Sequence, residues 1–220
     1  MNVEAGEQQA QALGEKAEFV KLDVTDEQAA EQFFQDVVAK HGSLHGLVNC
    51  AGIGPSAKVL GKEGVHDLVM FSKTLQINVT GTFNMLRFAA EAMSKNTVEA
   101  EDEDRGVIVN TASVAAFDGQ IGQAAYSASK GAVVAMTLPI ARDLARSGIR
   151  NMTIAPGIFG TPMLFGMPKE VQDALAAGVP FPSRLGTPQA YAKLVQHIFE
   201  NDMLNGEVIR LDGAIRLAPR

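Results

Sequence analysis

Short apolar runs alternate with longer amphipathic stretches along most of this chain. The apolar runs predict five strands, over residues 18–22, 46–50, 106–110, 151–155 and 207–211. The stretches between them repeat apolar residues at helical spacing and predict helices over residues 25–40, 65–93, 123–146, 168–177 and 187–200. Alternating strands and helices are typical of a parallel sheet with helices on both faces. We therefore predict an α/β fold with a doubly wound parallel sheet, Rossmann-like, in a single domain over residues 1–220.

Size and charge narrow the classes of function. The chain has 220 residues, 46% of them hydrophobic, and a formal net charge of −6 without a Lys/Arg cluster, which argues against nucleic acid or an anionic membrane as the main partner. No apolar stretch approaches the ~20 residues needed to span a bilayer. The N-terminus lacks a basic-then-apolar signal pattern. We expect a cytoplasmic location, or the mitochondrial matrix if a transit segment precedes Met1.

Metal chemistry is not expected from the sequence. The four histidines, His41, His45, His66 and His197, show no metal-binding spacing. Cys50 is the only cysteine and lies in an apolar run, so we expect it to pack as a small hydrophobic residue.

Tyr126 and Lys130 are four residues apart and share one face of a predicted helix. A phenol titrates near pH ~10, so proton transfer at neutral pH requires a cation, such as the Lys130 ammonium, to lower its pKa. Ser113 follows the predicted strand 106–110, and the carboxyl ends of parallel strands are where such folds bind ligands. Its hydroxyl can hydrogen-bond a reacting oxygen. The three side chains predict a proton-transfer site for alcohol and ketone chemistry.

Other short motifs stand in the order found in the short-chain dehydrogenase/reductase family. They are Asn-Cys-Ala-Gly at 49–52, Asn-Val-Thr-Gly-Thr at 78–82, Ser113, Tyr126 with Lys130, and Pro-Gly at 156–157. The chain resembles this family over nearly its whole length. Within the family, segments 106–117, 137–144, 181–186 and 205–215 are similar to the short-chain 3-hydroxyacyl-CoA dehydrogenases.

The resemblance implies a role for each catalytic candidate. Tyr126 would be the acid–base group, Ser113 would hold the reacting oxygen, and Lys130 would lower the pKa of Tyr126 and bind the nicotinamide ribose. Asn78 would hold a local backbone irregularity and extend the proton relay from Lys130 to solvent. From the residues alone, an alternative role for the Asn78 side chain is a polar hydrogen bond within its own helix.

The resemblance also implies NAD as the cofactor. Its implied contacts are Asp23, Val24, Asn49, Ala51, Gly52, Tyr126, Lys130, Pro156, Gly157 and Thr161. For Asp23 an equal alternative is that Asp23 or Thr25 caps the next helix. The residue that selects NAD or NADP in such folds, at the end of the second strand, is not in this chain.

Segment 158–186 is predicted to cover the substrate. It is rich in Met, Phe, Pro and Gly, which suits an adaptable apolar lid over an acyl chain or a flat ring system; a core-capping helix pair is the alternative. The predicted substrate contacts are Ser113, Gln123, Tyr126, Met163 and Phe165, with Met167, Phe181 and Pro182 as further walls.

The expected activity is reversible, NAD-dependent oxidation of a 3-hydroxyacyl-CoA, with hydroxysteroids or branched hydroxyacyl substrates as neighbouring possibilities. The resemblance implies a homotetramer. The alternatives are an NADPH-dependent 3-oxoacyl carrier-protein reductase and a non-catalytic protein on the same scaffold.

One family feature is missing from the sequence. The family begins with a strand, a glycine-rich turn and a helix whose backbone amides bind the pyrophosphate, and no such turn precedes residue 18. We therefore expect the first strand–helix–strand unit to be lacking, 18–22 to have no neighbouring strand, and 46–50 to form an exposed sheet edge. By the same argument roughly 30 to 40 further residues would precede Met1 in the functional protein.

Overall fold

The computed structural model describes residues 2–219 except residues 99, 101, 102 and 167, and does not describe the side chains of Pro162 and Met163. The strands are β1 (Gly46–Asn49), β2 (Leu60–Gly61), β3 (Gly64–Val65), β4 (Gly106–Thr111), β5 (Ile149–Pro156) and β6 (Val208–Leu211). Four of them form a parallel sheet in the order β1-β4-β5-β6, while β2 and β3 form a small antiparallel hairpin. β4 and β5 are buried along nearly their whole length, as the interior strands of a parallel sheet are.

The helices are α1 (Val3–Leu13), α2 (Glu27–His41), α3 (Leu68–Leu75), α4 (Thr82–Ser94), α5 (Ala124–Leu144), α6 (Pro162–Phe165), α7 (Lys169–Ala177) and α8 (Pro188–Glu200). A π-helical segment, Gln76–Gly81, joins α3 to α4. The cap of α2 is Asp26, whose Oδ1 accepts a 3.0 Å hydrogen bond from the Ala29 amide. The expected cap at Asp23 or Thr25 is therefore wrong by one to three residues.

Most predicted elements are confirmed with small shifts at their ends. Four of the five predicted strands are β1, β4, β5 and β6, and four of the five predicted helices are α2, α5, α7 and α8. Residues 18–22 do not form a strand, because a strand requires a hydrogen-bonded neighbour and none of the described strands pairs with this segment. Among the described strands, β1 pairs only with β4, and Val48 on it is 38% exposed, so the expected sheet edge is confirmed.

The single helix predicted over residues 65–93 is wrong. The segment is divided into β3, α3, the π-helical segment and α4. Asp67 starts α3 as its cap, its Oδ1 accepting a 2.9 Å hydrogen bond from the Val69 amide. The π-helical segment contains Asn78, whose buried side chain bonds to residues outside the helix. The spacing of apolar residues in the sequence contains no information about such tertiary hydrogen bonds, so it could not predict this division.

Helices cover both faces of the sheet. Along β4, Ile108 packs into a cluster with residues of α2, α4 and α5, while Val107 and Val109 pack on the other face with Ile198 of α8. This alternation produces a three-layer α/β domain, and the predicted doubly wound, Rossmann-like architecture is confirmed. The carboxyl ends of β4 and β5 meet the first turns of α5, where the candidate site lies.

Two further features concern membrane spans and metal sites. None of the described helices has the length and apolar character needed to cross a membrane. Among the described residues, no group of three or more His, Cys, Asp or Glu side chains is placed to hold a metal ion.

Candidate active site

Helix α5 places Tyr126 and Lys130 in its first two turns. The Lys130 side chain reaches the end of β4, where its Nζ donates a 2.7 Å hydrogen bond to the Thr111 carbonyl. The same Nζ lies 5.9 Å from the centre of the Tyr126 ring. Lys130 is 6% exposed, so its ammonium is held in a largely dry position beside the tyrosine.

Ser113 lies two residues beyond β4 and caps a short 3₁₀ helix, with its Oγ accepting a 3.1 Å hydrogen bond from the Ala115 amide. Ser113, Tyr126 and Lys130 all line one cavity of about 550 Å³. The structure therefore brings together the three side chains that the sequence singled out for proton transfer.

Burial controls the titration of these groups. It raises the pKa of Tyr126, while the Ser113 hydroxyl acts in the opposite direction. Burial also lowers the pKa of Lys130 from 10.5 to about 8, because a dry environment disfavours the ammonium. We expected Lys130 to lower the pKa of Tyr126. In the structure the Lys130 ammonium is instead hydrogen-bonded to the Thr111 carbonyl, and Ser113 is the group that favours the Tyr126 phenolate.

Asn78 is fully buried and ties three parts of the site together. Its Oδ1 accepts a 2.8 Å hydrogen bond from the Ile53 amide, and its Nδ2 donates to the Ile53 carbonyl at 2.8 Å and to Ser129 Oγ at 2.9 Å. The Ser129 hydroxyl in turn donates a 2.7 Å bond to the Tyr126 carbonyl. The side-chain bonds of Asn78 therefore leave its own helix, and Ser129 is a site residue that sequence reasoning missed.

The predicted cofactor contacts fall into two groups. Gly52, Pro156, Gly157 and Thr161 line the same cavity as Tyr126 and Lys130, but Asp23, Val24, Asn49 and Ala51 are not among its lining residues. The carboxylate of Asp23 accepts from the Thr25 amide at 2.9 Å and from its hydroxyl at 2.8 Å, and these bonds lower the pKa of Asp23. Val24 packs on the π-helical segment, because a Cβ at Gly81 would lie 2.6 Å from its Cγ2.

The buried amide of Asn49 is used inside the sheet. Its Nδ2 donates to Asn110 Oδ1 at 2.9 Å, and Asn110 Nδ2 donates to Asn151 Oδ1 at 2.9 Å. This chain of amides crosses the sheet from Asn49 at the carboxyl end of β1, through Asn110 of β4, to Asn151 in the amino-terminal half of β5. The side chain of Asn49 therefore supports the floor of the site and does not point into the cavity as a cofactor contact would.

Three further residues at the ends of β1, β4 and α8 were not predicted as part of the site. Thr111 Oγ donates to the Asn49 carbonyl at 2.6 Å and lies 2.7 Å from the hydroxyl of Tyr191. Cys50, Thr111 and Tyr191 all line the cavity. Cys50 is exposed, so its expected packing as a buried hydrophobic residue is wrong. Burial raises the pKa of Tyr191.

Segment 158–186 supplies part of the apolar wall, although not through the aromatic residues predicted for it. Leu164 and Leu175 line the cavity, as does the predicted contact Gln123. Phe165 is 58% exposed and lies against Gly160 outside the cavity, and Phe181 is also exposed. The side chain of Met163 and the whole of Met167 lie outside the described residues.

The cavity suits the nicotinamide end of a dinucleotide. It offers the Lys130 ammonium and the hydroxyls of Ser113 and Thr161 as donors, beside an apolar wall. At Gly52 a Cβ would lie only 3.2 Å from Asn78 Oδ1, so this position holds the backbone close to the site. No glycine-rich turn between a strand and a helix occurs in the part of the chain that the structure describes, so the fit concerns the nicotinamide end alone.

Known proteins are similar to this chain in sequence, and a solved structure is similar to it in fold. A model of the short chain dehydrogenase family matches residues 1–171. The 3-hydroxyacyl-CoA dehydrogenase type-2 proteins of Drosophila melanogaster and Homo sapiens are each 55% identical over 216 residues, which are 97% of this chain and 84% and 82% of those proteins. A crystal structure of 3-hydroxyacyl-CoA dehydrogenase type-2 from Mycobacterium avium superposes with a TM-score of 0.92 at 38% identity, covering 99% of this chain and 84% of the other. The chain belongs to the short-chain dehydrogenase/reductase family and is an oxidoreductase.

Proposed function

We propose that this protein oxidises the hydroxyl group of a 3-hydroxyacyl-CoA with NAD and catalyses the reverse reduction. The observation that carries the proposal is the cavity in which Ser113, Tyr126 and Lys130 face an apolar wall. Such a cavity accommodates a polar reacting oxygen and an apolar chain together. The similarity to 3-hydroxyacyl-CoA dehydrogenases supports the choice of a CoA thioester over other alcohols.

In this proposal Tyr126 accepts the hydroxyl proton of the substrate as its C–O bond becomes a carbonyl. Ser113 donates a hydrogen bond to the substrate oxygen and stabilises the negative charge that develops there. When bound, the nicotinamide ring supplies the hydride acceptor for the carbinol carbon. The protein orients the reacting groups, and in the reverse direction Tyr126 returns its proton to the carbonyl oxygen.

Lys130 has two proposed tasks. Its ammonium places a positive charge 5.9 Å from the centre of the Tyr126 ring, and it holds the nicotinamide ribose through hydrogen bonds. Its position is fixed by the Thr111 carbonyl. Asn78 and Ser129 hold the first turns of α5 against the loop at Ile53, so the proposed proton relay keeps its geometry.

A homotetramer is the proposed assembly. The support from the described surface is apolar area on the two long helices of one face, where Phe83 of α4 and Leu138 of α5 are each nearly half exposed. Burial of such side chains is a common contribution to association between copies of one chain.

A direct comparison of substrates tests the proposal. The protein is assayed for reduction of acetoacetyl-CoA with NADH and for reduction of the acetoacetyl carrier-protein thioester with NADPH. We expect a larger kcat/KM for the CoA substrate with NADH. Comparable or larger kcat/KM for the carrier-protein thioester with NADPH would assign the protein as a 3-oxoacyl carrier-protein reductase. Absence of turnover with both pairs would contradict the proposal.

A further inference from the structure

A second cavity, of about 490 Å³, adjoins the candidate active site. Ser113 and Tyr126 line only the first cavity, whereas Val171 and Ala174 of α7 line only the second. The wall between the two is formed by the residues that line both, Gln120, Ile158, Leu175 and Leu217. Leu175 and Leu217 therefore separate Tyr126 from the second cavity.

The C-terminal strap, residues 215–219, brings Leu217 into this wall. After β6 the chain reverses through Gly213 and Ala214, which have φ values of 59° and 66°. Positive φ is uncommon for alanine, so the surrounding contacts fix this turn. Ile215 at the start of the strap is buried, and its carbonyl accepts a 3.1 Å hydrogen bond from Arg210.

The strap is tied again beyond Leu217. The Ala218 carbonyl accepts a 2.9 Å hydrogen bond from Gln120 Nε2, and the Pro219 carbonyl accepts a 3.0 Å bond from the Ile121 amide. Because the strap is held on both sides of Leu217, this side chain is part of a fixed wall.

The chemistry of the second cavity suits a hydrocarbon chain. Its lining is mainly aliphatic, contributed by α7 and the strap, with charged groups only on the exposed Glu170 and Arg216. The amide nitrogen of Gln120 is already bonded to Ala218. A pantetheine arm carries two amides, which are costly to bury without partners, whereas an alkyl chain has no such requirement.

We propose that the second cavity receives the acyl chain of longer substrates, and that Leu217 and Leu175 determine the chain length accepted. This inference rests on the proposed function, since it concerns the alkyl end of the same 3-hydroxyacyl-CoA. The reacting C3 carbon of the substrate lies at Ser113 and Tyr126. Its acyl chain extends past Leu175 and Leu217 into the second cavity.

The test compares kcat/KM for 3-hydroxybutyryl-CoA and 3-hydroxydecanoyl-CoA in the full chain and in three variants. Val171→Trp and Ala174→Phe each fill the second cavity from α7, and neither residue lines the first cavity. Leu13→Trp is the matched control, because Leu13 is an exposed leucine on α1 that lines neither cavity. We expect both filling variants to lower kcat/KM for the decanoyl substrate by roughly tenfold or more, on the scale by which apolar pockets discriminate. The butyryl substrate and the Leu13→Trp protein should stay within about twofold of the unmodified values.

Equal losses for the short and long substrates in both filling variants, or no loss for either, would overturn the inference while leaving the proposed function intact. Failure of the proposed function has a different signature, namely no turnover of any acyl-CoA by the unmodified protein. In that event calorimetry with butyryl-CoA and decanoyl-CoA decides the point. Tighter binding of decanoyl-CoA that disappears in both filling variants supports the acyl compartment, and equal binding of the two thioesters refutes it.

Discussion

Asn78 Nδ2 donates a 2.9 Å hydrogen bond to Ser129 Oγ, joining the π-helical segment to the helix that carries Tyr126 and Lys130. The two residues are 51 positions apart, and both are fully buried. Ser129 passes the connection on to the Tyr126 carbonyl. A wider helical turn at Asn78 and the position of the proposed acid–base group are thus parts of one hydrogen-bonded unit.

Replacing Asn78 by leucine should damage both stability and catalysis. The change leaves the Ile53 amide and carbonyl and the Ser129 hydroxyl without this partner, and each buried unsatisfied group costs roughly 1–3 kcal/mol. We expect the free energy of unfolding to fall by roughly 2–5 kcal/mol and kcat to fall with it. Urea unfolding and steady-state kinetics measure the two effects.

The matched control for this change is Asn84→Leu. Asn84 is also buried, but its Nδ2 donates to the Val24 carbonyl at 2.9 Å, away from the cavity. It should lose stability to a similar extent while kcat of the folded protein is retained. If Asn84→Leu lowered kcat as much as Asn78→Leu, general destabilisation would explain the result, and the special role of Asn78 would be lost.

Tyr126→Phe should abolish most turnover without unfolding the protein, since only the proton-bearing oxygen is removed. General acid–base groups contribute typically ~100- to 10,000-fold to rate. The chain has only one other tyrosine, Tyr191, which lines the same cavity and loses its bond to Thr111 in Tyr191→Phe. We expect Tyr191→Phe to keep more than roughly a tenth of kcat, because it removes no proton-transfer group. Similar losses in the two variants would show that packing in the cavity, and not acid–base chemistry, is being measured.

The positions of Ser113, Tyr126 and Lys130 were predictable because their placement depends on local rules. A spacing of four residues gives one helix face, and an apolar run followed by a hydroxyl gives a strand end at a ligand-binding edge. The same rules predict β4, β5 and α5 to within a few residues. Here local pattern and tertiary structure agree.

Other features depend on contacts that are distant in sequence. Residues 18–22 have the pattern of a strand but lack a neighbouring one, and α1, which no apolar period predicted, packs through Gly6 against Phe19. The amide chain through Asn49 and Asn110 and the contact of Tyr191 with Thr111 exist only once the sheet is assembled. Propensity is a weak guide where such contacts decide the outcome.

Glycine at position 81 is required by the packing of the π-helical segment. An added Cβ would lie 2.6 Å from Val24 Cγ2 and 3.3 Å from its Cβ, which forces one of the two segments to move. Gly81→Ala should therefore destabilise the protein by roughly 1–3 kcal/mol. Gly131→Ala in α5 is the matched control, because a Cβ there meets no atom within 4 Å and alanine favours a helix interior by roughly 0.5–1 kcal/mol. Thermal unfolding should move in opposite directions for the two variants, and a shift of the same sign in both would contradict the packing argument.

Burial of Lys130 links the stability of the protein to pH. Its pKa is lowered from 10.5, the ordinary value for a solvated lysine in the unfolded chain, to about 8 in the folded protein. Between these values the unfolded chain binds more protons than the folded one, so the free energy of unfolding rises with pH over this range. Below pH 8 the ammonium is present in both states and the cost of burying it is fully felt, at about 3 kcal/mol on the scale of 1.36 kcal/mol for each pKa unit.

Lys130→Met removes this dependence, so the difference in unfolding free energy between the unmodified protein and the variant should change with pH. We expect the unmodified protein to gain about 3 kcal/mol relative to Lys130→Met as the pH rises from 8 to 10.5, followed by urea unfolding at half-unit steps. The raised pKa of Tyr126 adds stability that is lost above pH 10, but it is present in both proteins and largely cancels in the difference. Lys73→Met, at an exposed lysine of α3, is the control for the loss of a surface lysine side chain. A flat or falling difference for Lys130→Met would mean that the Lys130 ammonium is as well solvated in the folded protein as in the unfolded chain.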